Sequence, residues 1–211
     1  MQEDRGALAL VNGIVYVPYS GYFGDCGSYH GWVVGVQINN PSTGVMAWAT
    51  TAIGGGIWGH SGVASDGTNM FVITGNTFNT GGNWMRRRSD HSFASRPVLE
   101  RSAHRLLGAD KLVLSSINGD TDLGGVSAML IDVPGANPSQ LVLATGKDSN
   151  AYLLNRNNLG GITAPVAQLS VGFAIGQSSA TYHHEPGNLF CFPHWAARLR
   201  LTRLLRQLLR R

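Results

Sequence analysis

Apolar positions in this chain come in short runs broken by glycine, asparagine, serine and proline. Three stretches share one pattern: GALALVNGIVYVPYS at 6–20, SGVASDGTNMFVITGN at 61–76, and SAMLIDVPGANPSQLVLATGK at 127–147. Each reads as an apolar strand, a polar turn, and a second strand rich in β-branched and aromatic residues. The turns fall at Asn12-Gly13, Asp66-Gly67-Thr68 and Pro138-Ser139. Such residues adopt left-handed or turn conformations cheaply, so each stretch predicts a β-hairpin. A further strand pair is predicted after the first, in GWVVGVQINNPSTGVMAW (31–48), and after the third, in DSNAYLLNRNNLGG (148–161). The second strands centre on Val15, Phe71 and Val142, 56 and 71 residues apart. Four strands per unit at such intervals predict an all-β chain of antiparallel four-stranded blades, a partial β-propeller.

Composition agrees with an all-β, turn-rich chain. There are 28 glycines in 211 residues, 43% of positions are hydrophobic and only 13% are charged, against about a quarter charged in an ordinary domain. Solvated helix faces would need more Glu and Lys. Cys26 and Cys191 lie 165 positions apart, which is neither a disulfide framework nor a metal motif. No apolar run approaches the ~18 residues of a membrane span. The segment Met1–Arg5 is polar and shows no secretion signal.

Charge divides the chain further. The net +4 arises from two basic islands in a mildly acidic background. Segment 86–111 carries seven basic and three acidic residues; segment 191–211 carries six arginines and no acid. The glycine- and asparagine-rich idiom stops at both. Leucines at 199, 201, 204, 205, 208 and 209 predict a C-terminal amphipathic helix. Three readings of the islands stand open. They form a patch for nucleic acid or an anionic membrane, they are solvated basic segments, or they are out-of-frame translations of blade sequence. The first island lies where the second unit's further strand pair is due, which favours the last of these. The expected organisation is blades at 1–85, an atypical basic segment at 86–115, blade sequence at 116–182 and an Arg/Leu-rich tail at 183–211.

Several stretches carry a family resemblance: YHGWVVGV (29–36), GGGIWGHSGVASDGTNMFVITGN (54–76), DTDLGGVSAMLI (120–131) and LVLATGKDSNAYLLNRNNLGG (141–161). They resemble the pyrroloquinoline-quinone-like (PQQ-like) β-propeller repeat proteins of bacteria. INNPSTGVMAW (38–48) is also similar to that family's tryptophan docking motif, matching it at Asn40, Thr43, Gly44 and Trp48 and departing from its alanine at Ile38. In the family this motif staples neighbouring blades. The resemblance implies a propeller fold, a secreted or periplasmic location and, in quinone-dependent members, PQQ with a Ca²⁺ ion. At most three units are recognisable, where closure would take six to eight. An unclosed set of blades leaves two sheet faces open, so self-association is expected.

Candidate chemistry is sparse. Gly59-His60-Ser61-Gly62 lies one residue from a Gly-x-Ser-x-Gly nucleophile elbow, but Val63 stands where the second glycine is required. Ser61 with His183 or His184 and Asp148 would make a hydrolase triad. Asp120 and Asp122, in NGDTDLGG, are the candidate cation ligands, against the reading of a surface turn. His183-His184-Glu185 is a possible metal cluster, although adjacent strand residues point to opposite faces. No acidic set matches the quinoproteins' calcium ligands, and no adjacent cysteines are present. The expectation is a non-catalytic scaffold or binding module. The alternatives are a quinoprotein-like oxidoreductase, a serine esterase using Ser61, or an anion binder acting through the arginine tail.

Overall fold

The computed structural model describes residues 2–22, 26–50, 52–78, 125–159, 164–171 and, by their backbone, 107–108, 161–162, 180–184 and 187–191. The first sheet holds β1 (Glu3–Asp4), β2 (Ala9–Val11), β3 (Ile14–Ser20), β4 (Trp32–Gln37) and β5 (Val45–Ala49). Its order is β1 and β2 together on one edge, then β3, β4 and β5, all antiparallel. Asn12 and Gly13 take φ of 52° and 77° and close the β2–β3 hairpin, the paired left-handed turn that suits the strand twist.

A two-residue bulge splits the outer strand. Asp4 faces Tyr19 and Ala9 faces Tyr16, so four residues, 5–8, oppose only Val17 and Pro18. Proline cannot donate to a ladder and is rarely tolerated inside a central strand. Here it lies opposite the bulge, with Gly6 packed on its ring.

The second unit consists of β6 (Ile53–Gly54), β7 (Ala64–Ser65), β8 (Met70–Phe71) and β9 (Thr77–Phe78). β7 pairs with β8 and β6 with β9, both antiparallel. A two-residue strand β10 (Leu107–Gly108) runs ahead of the second large sheet, which contains β11 (Met129–Asp132), β12 (Gln140–Thr145) and β13 (Asn150–Asn155). After β14 (Gly161–Ile162), the sheet is completed by β15 (Ala167–Ser170), in the order β11-β12-β13-β15. β16 (Ala180–His184) and β17 (Gly187–Cys191) form a last hairpin. Described pairings are antiparallel apart from the short β10–β14 pair and a bridge between His30 and Gly54. No sheet among the described residues closes on itself.

The chain is therefore all-β, and all three expected hairpins form. One detail differs from the sequence reading. The fourth strand of the second large sheet comes from 167–170 and not from within 148–161, because the Asn155–Asn158 turn is followed by a longer loop. The β16–β17 hairpin spans position 183. The predicted C-terminal helix and most of the 86–115 segment lie outside the described residues.

Packing builds three layers. Ile14, Tyr16 and Val33 of the first sheet cluster with Ile57 and Val63, with Met70 and Val72 alongside. Phe71 and Ile73 pack from the other side against Val142, Ala144, Tyr152 and Leu154 of the second sheet. The β7–β8 hairpin thus lies between the two large sheets. The far face of the second sheet is also buried: Leu141 and Leu153 are 0% exposed, in a cluster with Ile131, Leu143, Ala151 and Val171. Burying each such leucine contributes about 1.5–3 kcal/mol.

Candidate functional site

Ser61 lies on an exposed tight turn, closed by a 3.0 Å hydrogen bond from Gly62 N to Gly59 O. The His60 carbonyl accepts from Ala7 N at 2.8 Å, so the turn rests on the outer-strand bulge. Gly62 has φ of 70°, and a Cβ there would collide with the Ala7 carbonyl. Both glycines of GHSG answer to close packing, since Gly59 lies equally tightly against Ser127. A nucleophile elbow needs a strand before the serine and a helix after it. Here the glycine-rich crossing Gly54–Gly56 precedes the turn and β7 follows it.

That crossing is stitched to its neighbours through the backbone. Gly54 N donates to Tyr29 O (2.7 Å), Gly31 N to Gly54 O (3.1 Å), Gly55 N to Asn76 O (2.6 Å), and Gly75 N to Gly56 O (2.8 Å). Thr50 Oγ1 donates to Gly54 O at 3.0 Å and accepts from Gly31 N at 3.0 Å. Tyr29 is buried, edge-on to Trp58 (5.9 Å between ring centroids) and to Phe78 (6.3 Å). The Arg5 guanidinium covers the outer side of Trp58, 5.3 Å from the ring centroid. His30, half-buried, places Nδ1 2.8 Å from Thr50 O. The region is a tight structural crossing, held mainly through backbone hydrogen bonds.

Asp148 sits in the β12–β13 turn. Its carboxylate accepts from Asn150 N and Asn150 Nδ2, each at 3.2 Å, and from the Tyr152 hydroxyl. Burial of Tyr152, then its bond to Asp148 and that carboxylate's charge, push the phenol well above its ordinary value. The hydrogen bonds described for the Asp148 carboxylate thus tie its turn to the start of β13. His183 occupies β16, opposite Asn188, and only its backbone is described. Ser61, Asp148 and His183 belong to three separate elements.

A polar group the sequence reading missed gathers where three turns meet. Arg156 is 6% exposed and its Nη2 lies 2.5 Å from Asp132 Oδ1, while the Asp132 side chain is 64% exposed. Arg156 N donates to Gln140 O at 3.0 Å, and Asn157 Nδ2 to Gln140 Oε1 at 2.9 Å. Across the layers, Asn12 Nδ2 donates to Gly67 O at 2.8 Å. The Asp66 carboxylate accepts from Thr68 N (2.9 Å) and Asn69 N (2.7 Å). Partial burial pushes the Asp66 carboxyl up. The Asn69 and Thr68 backbone bonds, the Asn69 side chain and the Arg156 charge outweigh this and hold it below the usual carboxylate range. The signal for Arg156 was present: an isolated arginine in an asparagine-rich turn, two strands from an acid at the matching end of β11.

The docking-motif residues form the β4–β5 link. Thr43 Oγ1 and N donate to Asn40 O at 2.8 and 3.2 Å, across a 3-10 turn at Pro41–Thr43. Gly44 takes φ of 97° to enter β5. Trp48, half-buried in β5, packs on the cluster that contains Ile57 and Val63 of the second unit.

Asp120, Asp122 and Glu185 lie outside the described residues. Among the described residues no three His, Cys, Asp or Glu side chains converge as metal ligands do. Compared with family models, with curated proteins and with solved structures, the chain matches none.

Proposed function

We propose that this chain is a non-catalytic scaffold or binding module of the PQQ-like β-propeller type, part of a protein that works outside the cytoplasm. The observation that carries the reading is the three-layer stack. A five-stranded and a four-stranded antiparallel sheet flank the β7–β8 hairpin, and each sheet carries apolar rows on both faces. Blade-to-blade packing asks for that pattern, whereas an isolated antiparallel sheet has one polar face. Trp48 supports it further, since it packs from β5 onto the next unit. The described polar clusters tie turns together; Ser61 and Asp148 each sit in such a turn.

Mixing the full chain with pyrroloquinoline quinone and Ca²⁺ tests the reading. A scaffold leaves the quinone absorbance unchanged. A stoichiometric spectral change, abolished by chelating the calcium, would overturn it in favour of a quinoprotein. A short-chain ester hydrolysed by the unaltered chain and not by Ser61→Ala would overturn it in favour of an esterase.

A further inference from the structure

The β2–β3 and β7–β8 turns meet at the side chain of Asn12. Its Nδ2 donates to Gly67 O at 2.8 Å, a bond between residues 55 apart that ties the first sheet to the hairpin layer. Asn12 and Gly13 are both exposed and both left-handed, with φ of 52° and 77°. Nothing lies within 4 Å of where a Cβ on Gly13 would sit. Among the described asparagines, Asn12 alone is followed by glycine. Asn40 and Asn137 precede prolines, whose nitrogens carry no proton to give up. The other described asparagines precede residues with a side chain. The distinction matters for one reaction. The backbone nitrogen that follows an asparagine can attack the side-chain amide, and a Cβ on the attacking residue hinders its approach.

We propose that Asn12 is a site of self-modification: its amide is lost to attack by the Gly13 nitrogen, and the loss releases the β7–β8 turn from the first sheet. Gly13 N gives up its proton and bonds to Cγ of Asn12. The Cγ–Nδ2 bond breaks, and the side-chain nitrogen leaves as ammonia with that proton. The five-membered succinimide ring then takes up water at either carbonyl, giving aspartate or isoaspartate at position 12. No electrons are transferred, and water is the co-reactant. The bare Cα of Gly13 gives the chain room to turn into the ring. The bond to Gly67 O holds the amide in place, so the reaction proceeds when the two turns part. Both products undo the contact. A carboxylate has no N–H to offer the Gly67 carbonyl. It also brings a negative charge to a turn that already carries the Asp66 carboxylate. Isoaspartate further routes the main chain through its β-carbon, adding an atom to a two-residue turn that left-handed φ values define. The inference rests on these two turns alone and is independent of the propeller reading.

Ageing the full chain in mildly alkaline buffer tests it, with peptide mass mapping that separates position 12 from the chain's other Asn-Gly pair, Asn118-Gly119. The expected result is a gain of one mass unit at position 12, mostly as isoaspartate, which arises only through the ring. Asn12→Asp reproduces one product in a homogeneous sample. Its hydrogen exchange at Thr68 N and Asn69 N, in the β7–β8 turn, should be about three- to tenfold faster, the shift that accompanies one lost hydrogen bond. Any of three results refutes the inference: position 12 still intact in the folded chain once a urea-unfolded sample has converted, conversion to aspartate alone, or unchanged exchange in the β7–β8 turn. The aged chain supplies the exchange measurement if the variant fails to fold.

Discussion

At the scale of single residues, Arg156 and Asp132 form an unequal pair. The arginine is buried and the aspartate is mostly in water. Removing the aspartate strands a buried charge, while removing the arginine releases an acid that solvent already reaches. Asp132→Asn should therefore destabilise by about 2–3 kcal/mol, and Arg156→Met by less. Urea unfolding midpoints rank the two; the reverse order would mean that the arginine stem's packing matters more than its charge. Tyr16 and Tyr152 make the second residue-scale case. Burial raises both phenols, and the Asp148 contact adds to the rise at Tyr152. A raised folded value means the stabilisation is complete below the ordinary phenol range near ~10 and is lost as pH climbs through it. In an alkaline titration followed at the phenolate absorbance, these two of six tyrosines should ionise only as the chain unfolds. Tyr152→Phe should cost stability at neutral pH and shift alkaline unfolding upward. Smooth ionisation of all six before unfolding would show that both rings reach solvent.

At the scale of elements, hairpins were legible because turn chemistry is local. Asn12-Gly13 announces its own φ values, and Asp66 gathers the N–H groups two and three residues on. The bulge at 5–8 was not legible, since it exists to accommodate Pro18 and to receive the Gly59–Gly62 turn from another unit. The Ser61 motif misled for the same reason. Its glycines look like an elbow in sequence, but they are required by contacts with Ala7 and Ser127, which are distant in the chain. Two alanine substitutions separate local from distant demands. Gly13 has φ of 77° and nothing within 4 Å of an added Cβ, so Gly13→Ala should cost only the left-handed backbone penalty, about 1–2 kcal/mol. Gly62 has φ of 70° and the Ala7 backbone in the way. Gly62→Ala should cost clearly more and, by pushing the turn off the bulge, should speed hydrogen exchange at Ala7 N. Equal costs would mean that the bulge is not held by the turn.

At the scale of the whole molecule, the least legible feature was the asymmetry between the sheets: on their outer faces Leu10 and Val45 of the first are exposed, and Leu141 and Leu153 of the second are buried. Both read as runs of apolar residues on both faces, and nothing in Leu10, Val15 or Val36 distinguishes them in sequence from Leu141, Leu143 or Leu153. The difference lies in which layers stack on them, a matter of distant packing. It can be measured by truncating one residue on each outer face. Leu153→Ala opens a cavity in a closed cluster and should cost about 2–5 kcal/mol at any protein concentration. Val34→Ala sits on the open face and should cost about 1 kcal/mol or less in dilute solution, as less-buried truncations do. Thermal unfolding of both variants reads the two costs side by side. A Val34→Ala cost as large as that of Leu153→Ala would mean that the outer face of the first sheet is covered as well, and it would leave the three-layer fold standing.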